Sequence, residues 1–493
     1  MDSFSTPDHW YRVLIALVVI YLIASIFRFL WHPLGHIPGP LFSRFSTIPL
    51  FLQSLSGARA GWIVAQHEKY GPVIRIAPDK VAVSSASGIK AIYNNKNSKS
   101  HAYDSFRFQE VKMCIALLDV KQAHTRRKAL LPAFSRQNLM EMEFVMRHHL
   151  EKFLDWLEKF DDTNTPVDTF KWFRYLTFDV VTDIAFGQQI GMLSSNDTHF
   201  IEQVEYRNKR NSLNGPFPFI LPVMRLLRME TAKKWDRADE EIASYAVRAR
   251  EGWAKAGEAN RHRVDILSRM EQGSKTNPET ALSDKEIIAT MMEILNAGSD
   301  TTANTAMFAA YELARNPAIQ EELHQELVTA FPDPNTPLDF AVLEKLPILD
   351  GVCREALRIH APIPSYLERV ISEDGIQIEG YDVPKGTVIG MQAYTNHRDS
   401  VVYPQPEEFI PRRWFEATEE MKTSFLPFSA GPRACIGLNL ANMQLRIHLG
   451  HIFHRYRVTL AEDTNEASMK HVEFFMVRPI SQKCNLYFKK YKS

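Results

Sequence analysis

Apolar and polar positions divide the chain into stretches of different period. Residues 13–27 (VLIALVVIYLIASIF) form an uncharged apolar run with Trp10, Tyr11 and Trp31 at its ends, the arrangement of a membrane-spanning helix between interfacial aromatic rings. Carried to residue 30, it predicts a helix about 27 Å long at 1.5 Å per residue, close to the roughly 30 Å of a bilayer core. Pro38 and Pro40 around Gly39 forbid helix there and predict a stiff elbow. Alternation over residues 73–77 and 80–84, about Pro78-Asp79, predicts a hairpin. Between residues 137 and 316 apolar positions mostly recur at three- and four-residue intervals, as at Phe144, Leu150, Phe153, Leu154 and Leu157, so helices are predicted. The longest, over residues 284–316, opens with the capping-box pattern Ser283-x-x-Glu286 and stops before Pro317. Short strand signals return at residues 376–378 and 388–391. With no repeat and no Gly/Ser-rich linker to split the body, the pattern predicts a mainly α chain with small β-sheets. It divides into an anchor at residues 1–31, a proline-containing hinge at 32–50 and one body at 51–493.

Composition narrows the class. The 493 residues are 45% hydrophobic and 24% charged, enough to bury a sizeable core and unlike a disordered chain. Lys+Arg and Asp+Glu cancel at 58 each, so no global field favours nucleic acid. The four cysteines have no C-x-x-C pair, which argues against zinc and a disulfide scaffold and for a reducing compartment. Arg28, Arg44 and Arg59 follow the apolar run with no acid before Glu68, so the positive-inside bias places the large carboxyl-terminal part in the cytosol. A cleaved signal peptide is the alternative, but its positive charge should be concentrated before the apolar run.

Four places carry chemistry. Phe428-Ser429-Ala430-Gly431-Pro432-Arg433-Ala434-Cys435-Ile436-Gly437 sets one cysteine between glycines ahead of an apolar helical stretch. A metal-ligating thiolate needs close backbone N–H groups, which small neighbours permit, and a helix start beyond it favours negative charge. Glu355 and Arg358 share a helix face at i, i+3, by itself usually a surface pair worth tenths of a kcal/mol. Ala297-Gly298-Ser299-Asp300-Thr301-Thr302 puts weak helix formers in mid-helix. It reads either as a bend with satisfied hydroxyls or as a ligand cleft beside an acid–alcohol pair. His124-Thr125-Arg126-Arg127-Lys128 is either a solvated basic face or a set of cations for a cofactor carboxylate or acidic partner.

Together these residues resemble the cytochrome P450 family over essentially the whole chain, with a texture around residues 178–187 similar to membrane-bound fungal members. The resemblance implies a single haem domain behind an N-terminal transmembrane helix. Cys435 would be the axial thiolate of haem b, with Phe428 and Gly437 beside it. Arg433, Arg127 and Arg369 would hold propionates, with His124 as a helper. It also implies a buried structural network of Glu355, Arg358 and Arg413, and proton delivery by Asp300 and Thr301 with Gly298 leaving room for dioxygen. Two departures stand out: Ala123 replaces a tryptophan often found four residues before Arg127, and Arg412 replaces an acid before Arg413.

The implied activity is monooxygenation, in which one oxygen atom of O2 enters an apolar C–H or C=C bond of a hydrophobic small molecule, in secondary metabolism. Electrons would come from NADPH through a flavoprotein reductase docking at Arg126 and Lys128, with cytochrome b5 as an accessory donor, at the endoplasmic reticulum membrane. Phe106, Ile294, Ala297, Ile363, Ser365 and Phe475 are the candidate substrate lining. A haem-thiolate isomerase, dehydratase or peroxygenase working without reductase, and a noncatalytic haem-binding protein, stay open as alternatives.

Overall fold

The structure is a computed structural model that describes residues 32–161, 165–257, 264–333, 336–372 and 374–491, with seven scattered positions between 11 and 23. Most of the predicted anchor lies outside the described residues. Among them no helix is long and apolar enough to cross a membrane. The helices that position the site are α1 (Ile48–Ser56), α2 (Arg59–Tyr70), α3 (Val120–Leu130), α4 (Thr169–Phe186), α5 (His199–Asn214), α6 (Glu230–Ala256), α7 (Asp284–Gly298), α8 (Asp300–Arg315), α9 (Pro347–Ile359) and α10 (Leu438–Arg455).

The helix predicted over 284–316 is two segments, α7 and α8, separated at Ser299 (φ −84°, ψ −67°). Its start is as expected, with both halves of the Ser283/Glu286 capping box formed. The interruption follows from side-chain hydroxyls competing for main-chain carbonyls. Ser299 Oγ donates to Leu295 O at 2.8 Å and Thr301 Oγ1 to Ala297 O at 2.7 Å. Beyond it, α8 is buried continuously from Thr302 to Ala314 and packs against α4, α9 and α10, forming the centre of the largest hydrophobic core.

A four-stranded sheet lies beside this helical mass, built from β1 (Val73–Ala77), β2 (Lys80–Val83), β3 (Tyr366–Val370) and β4 (Val388–Gln392) in the order β1-β2-β4-β3. The predicted hairpin is β1–β2, pairing Ile74 with Ala82; β2 runs parallel to β4, and β3 returns antiparallel with Arg369 opposite Ile389. A second hairpin, β5 (His471–Phe474) with β6 (Met476–Pro479), turns at Phe475, whose φ is +70°. The proline elbow is sewn onto the sheet. Leu34 and Ile37 are buried, the Arg75 N–H donates to Pro38 O at 2.7 Å, and a Cβ on Gly39 would stand 2.3 Å from Arg75 O.

Candidate functional site: a cysteine loop and the cations beside it

The loop before α10 holds Cys435 by its backbone, with the Cys435 N–H donating to Phe428 O at 2.9 Å. Gly431 has a φ of +70° and runs so close to Tyr93 that a Cβ would overlap its carbonyl oxygen at 1.8 Å, so only glycine fits. Gly437 acts differently: a Cβ there would stand 3.9 Å from Cys435 Sγ, an ordinary contact. Its contribution is its backbone N–H: burial raises the thiol pKa overall, and the Gly437 N–H facing the sulfur opposes that rise. Cys435 is nonetheless solvent-exposed. Exposure and desolvation at one residue are compatible when the exposed surface faces an interior space enclosed by protein.

Four cations gather on one side of this loop. A cavity of about 810 Å³ is lined by His124, Arg127, Asn94, Gly431 and Arg433 among others. Arg433 gives Nη2 to Leu117 O (2.8 Å) and Cys114 O (3.2 Å), while its Nη1 has no partner among the described residues. Arg369, on β3 and 2% exposed, gives Nη1 to Glu368 O, and its Nε has no partner among the described residues. Lys99 is buried with Nζ on Ile115 O at 2.9 Å. Burial first, then the neighbouring Arg369 and Arg433, pull its pKa well below the ordinary lysine value. Buried cations that repel one another while keeping unused N–H groups make a site that an anion would complete. Lys99 escaped the sequence reading because Asn94-Asn95-Lys96-Asn97-Ser98-Lys99-Ser100 reads as a solvated polar run.

Three expectations need correction here. Arg126 is 8% exposed and pairs with Glu286 of the capping box, so it is core rather than a docking cation; Lys128 is exposed. Gly298 does not open a space, because its missing side chain points at Val181 of α4, whose Cγ2 would lie 3.3 Å from a Cβ. The small residue facing open space is its neighbour Ala297, exposed in the middle of the core, with Thr301 half-exposed one turn on. Asp300 is 3% exposed and turned away from that face, held by Arg174 through Nε to Oδ1 (2.9 Å) and Nη2 to Oδ2 (3.1 Å). Arg174 also holds Glu205 at 2.6 Å. The structure therefore does not bring Asp300 and Thr301 together as an acid–alcohol pair.

Beneath the loop Glu355, Arg358 and Arg413 do meet. Glu355 and Arg358 are fully buried. The carboxylate accepts from Arg358 Nη2 (2.7 Å) and Nε (3.0 Å), Arg413 Nε (2.8 Å), Trp414 Nε1 (2.9 Å) and Ile410 N–H (3.1 Å). The remaining Arg358 hydrogens go to the carbonyls of His397, Pro406 and Glu408. Gly351 admits this segment, since a Cβ there would lie 2.5 Å from Pro411 O. Arg412 is on the surface, paired with Glu322.

Of the candidate lining, Phe106 and Phe475 touch across the domain at 5.2 Å between ring centroids. Ile294 is 8% exposed on the same face of its helix as Ala297, and Ile363 is half-buried. Ser365 is already committed: it donates to Glu473, which also pairs with Arg59, so it clamps β5 to α2 instead of lining a free surface.

Comparison with known proteins identifies the class. The family model described as Cytochrome P450 matches residues 39–485, and the chain belongs to that family as a monooxygenase. It is 31% identical to benzoate 4-monooxygenase bphA of Aspergillus niger over 508 aligned residues, covering 96% of each chain. It is 26% identical to cytochrome P450 monooxygenase tazI of Aspergillus terreus, with 96% of this chain and 97% of the other covered. Against the trichothecene C-4 hydroxylase of Trichoderma arundinaceum identity is 27%, with 92% and 93% covered. The family implies a haem iron bound through cysteine sulfur. The donor set fits that group, with an exposed, ionisable cysteine at the end of its loop and guanidinium N–H groups nearby that have no partner among the described residues.

Proposed function

We propose that this chain is a fungal-type monooxygenase that oxidises an apolar small molecule of secondary metabolism, with electrons from NADPH through a flavoprotein reductase. One observation carries the reading: Cys435 is exposed although protein surrounds it, and near it Arg369 and Arg433 each leave a nitrogen without a partner among the described residues, with Lys99 held beside them. Cys435 would hold the haem iron, and Arg127, Arg369, Arg433 and Lys99, with His124 at the cavity edge, would hold the propionates. When bound, that group supplies dioxygen activation, helped by electron push from the thiolate.

The protein's own part is to stabilise charge and position a proton. The Gly437 N–H stabilises the negative sulfur. Thr301 Oγ1 gives its hydrogen to Ala297 O, which leaves its lone pairs free to accept from a water on the open face. Proton handling therefore falls to Thr301, while Asp300 with Arg174 braces α8 against α4.

A location at the endoplasmic reticulum membrane, with the body cytosolic, rests on the apolar run at residues 13–27. An exposed apolar surface built from two distant segments supports it further. Phe42 is 77% exposed and Leu226 81% exposed, and Phe51 and Phe219 bring their segments within 6.2 Å. Support for the substrate class comes from fungal relatives named for benzoate and a trichothecene. The test is expression with reductase in the presence of extracts of the producing organism. The expected result is an NADPH- and O2-dependent product ion heavier by one oxygen; conversion that ignores reductase contradicts the proposal.

A further inference from the structure

The short helical turn Cys114–Ala116 belongs to no sheet and spends its backbone polar groups on charged side chains. The Ala116 N–H closes the turn on Met113 O at 2.9 Å. That leaves the N–H groups of Cys114 and Ile115 without an internal acceptor, as at the start of any helical turn. Glu293 on α7 supplies both acceptors, with Oε2 on the Cys114 N–H at 2.7 Å and Oε1 on the Ile115 N–H at 2.8 Å. The carbonyls are held from elsewhere: Lys99 donates to Ile115 O, and Arg433 of the cysteine loop donates to Cys114 O and Leu117 O. Three charged side chains from three parts of the chain therefore fix a segment that no ladder of backbone bonds fixes.

The turn stands at the edge of the open space. Glu293 and Ala297 are four residues apart on α7 and share one of its faces. Ala297 is exposed in the middle of the core, and Glu293 is half-buried one turn before it. The segment leading into the turn follows the same helix, since the short hairpin of Arg107–Phe108 with Val111–Lys112 packs on α7. The Met113 N–H donates to Phe106 O at 3.1 Å, and the Phe106 ring meets Phe475 at the tip of the β5–β6 hairpin. Residues 106–117 thus run from that tip to the cysteine loop across α7, with the half-buried Ile115 at the point where Glu293 grips. Both Glu293 oxygens accept, which a carboxylate can do and a primary amide cannot. Arg433 and Lys99 also belong to the proposed propionate site, so Glu293 is the holder that lies outside it.

Resting on the monooxygenase reading, we propose that Glu293 is a positioning residue for substrate choice. Its carboxylate sets residues 114–117 as a wall of the space beside Ala297, and so decides how bulky an apolar substrate that space admits. It acts through the turn, and a wall displaced by a fraction of an ångström changes which shapes fit.

Hydrogen exchange of the haem-loaded full chain, resolved to single residues by mass spectrometry, reads the grip directly. In the parent the Cys114 and Ile115 amides are expected to exchange slowly although they start a short turn. Glu293→Ala speeds both about tenfold or more, and Glu293→Gln, which keeps one acceptor, speeds one of them, while the amides of α9 stay unchanged. The shape of the space is read with imidazole and 1-phenylimidazole, probes that shift the Soret band and differ by one ring. Glu293→Gln is expected to leave imidazole binding unchanged and to weaken 1-phenylimidazole about tenfold. A merely structural role would move both probes together or neither. Fast exchange of both amides in the parent, unchanged exchange in Glu293→Ala, equal acceleration in α9, or an unchanged ratio of the two affinities in Glu293→Gln overturns the proposal. The parent's exchange needs no variant, so the idea stays exposed to refutation even where Glu293→Ala fails to fold. A thiolate-type Soret band under carbon monoxide in the same preparation separates the two readings, because its absence would fail the haem-thiolate assignment and its presence leaves only the role of Glu293 at stake.

Discussion

The network around Glu355 and the cations around Arg369 use the same residue types to opposite ends. Glu355 accepts five N–H groups, and no side-chain atom of Glu355, Arg358 or Arg413 lacks a partner. Arg369 and Arg433 each leave a nitrogen without a partner among the described residues, and Lys99 is held beside them with its pKa depressed. Both regions place charge out of water, which is tolerated only with compensation. The first is closed on itself and behaves as scaffold, whereas the second is left open, as the proposed propionate site requires. Completeness of pairing, more than charge or burial, separates structure from site.

Breaking the closed network should have the largest effect. Glu355→Ala leaves Arg358 and Arg413 buried without their carboxylate and is expected to destabilise the fold by roughly 3–5 kcal/mol, with loss of haem incorporation. Urea unfolding and the haem-to-protein ratio check this; a variant with full haem content contradicts it. The open cluster should respond with the opposite sign. Arg369→Gln removes a surplus cation, so the haem-free chain stays as stable or gains stability, while haem loss to a scavenger protein accelerates about tenfold, the loss of a charged hydrogen bond.

Glu312, His360 and His471 sharpen the comparison as an intermediate case. His360 Nε2 lies 2.9 Å from Glu312 Oε1 and its Nδ1 2.7 Å from His471 Nε2. Burial lifts the Glu312 carboxyl to about 7, against Arg315 and Arg358, which lower it. The folded chain therefore holds a proton that the unfolded chain releases at ordinary carboxyl pH. Its contribution is fully present below about pH 4.5 and is lost as pH rises toward 7, on the order of 2 kcal/mol. Glu312→Gln removes that loss, so its melting temperature relative to the parent should rise between pH 5 and pH 7.5. His360 and His471, whose pKa values burial lowers, bias stability the other way. A difference flat across this range contradicts the assignment. Thr301→Ala should hardly move stability. It retains haem and substrate but diverts reducing equivalents to peroxide, and unchanged product per electron would contradict the proton role.

Much of the site is legible from local spacing. The cysteine loop is ten consecutive residues, and the Glu355–Arg358 pair follows from three-residue spacing on one helix. Neighbours within a motif are harder to read. Consecutive residues on a helix point about 100° apart, so Asp300 and Thr301, Arg126 and Arg127, and Ala297 and Gly298 divide between core and open face, and only tertiary packing decides which is which. Charges paired across long sequence separations are the least legible. Arg174 with Asp300 carries no local signature, and neither does the approach of the like charges Lys99 and Arg369.

The most direct measurement is the absorbance of the purified, reduced protein under carbon monoxide, with Cys435→Ala alongside. A thiolate-type Soret band in the parent that disappears in the variant is the predicted result. The same band in both, or none in a folded, haem-loaded parent, contradicts ligation by Cys435.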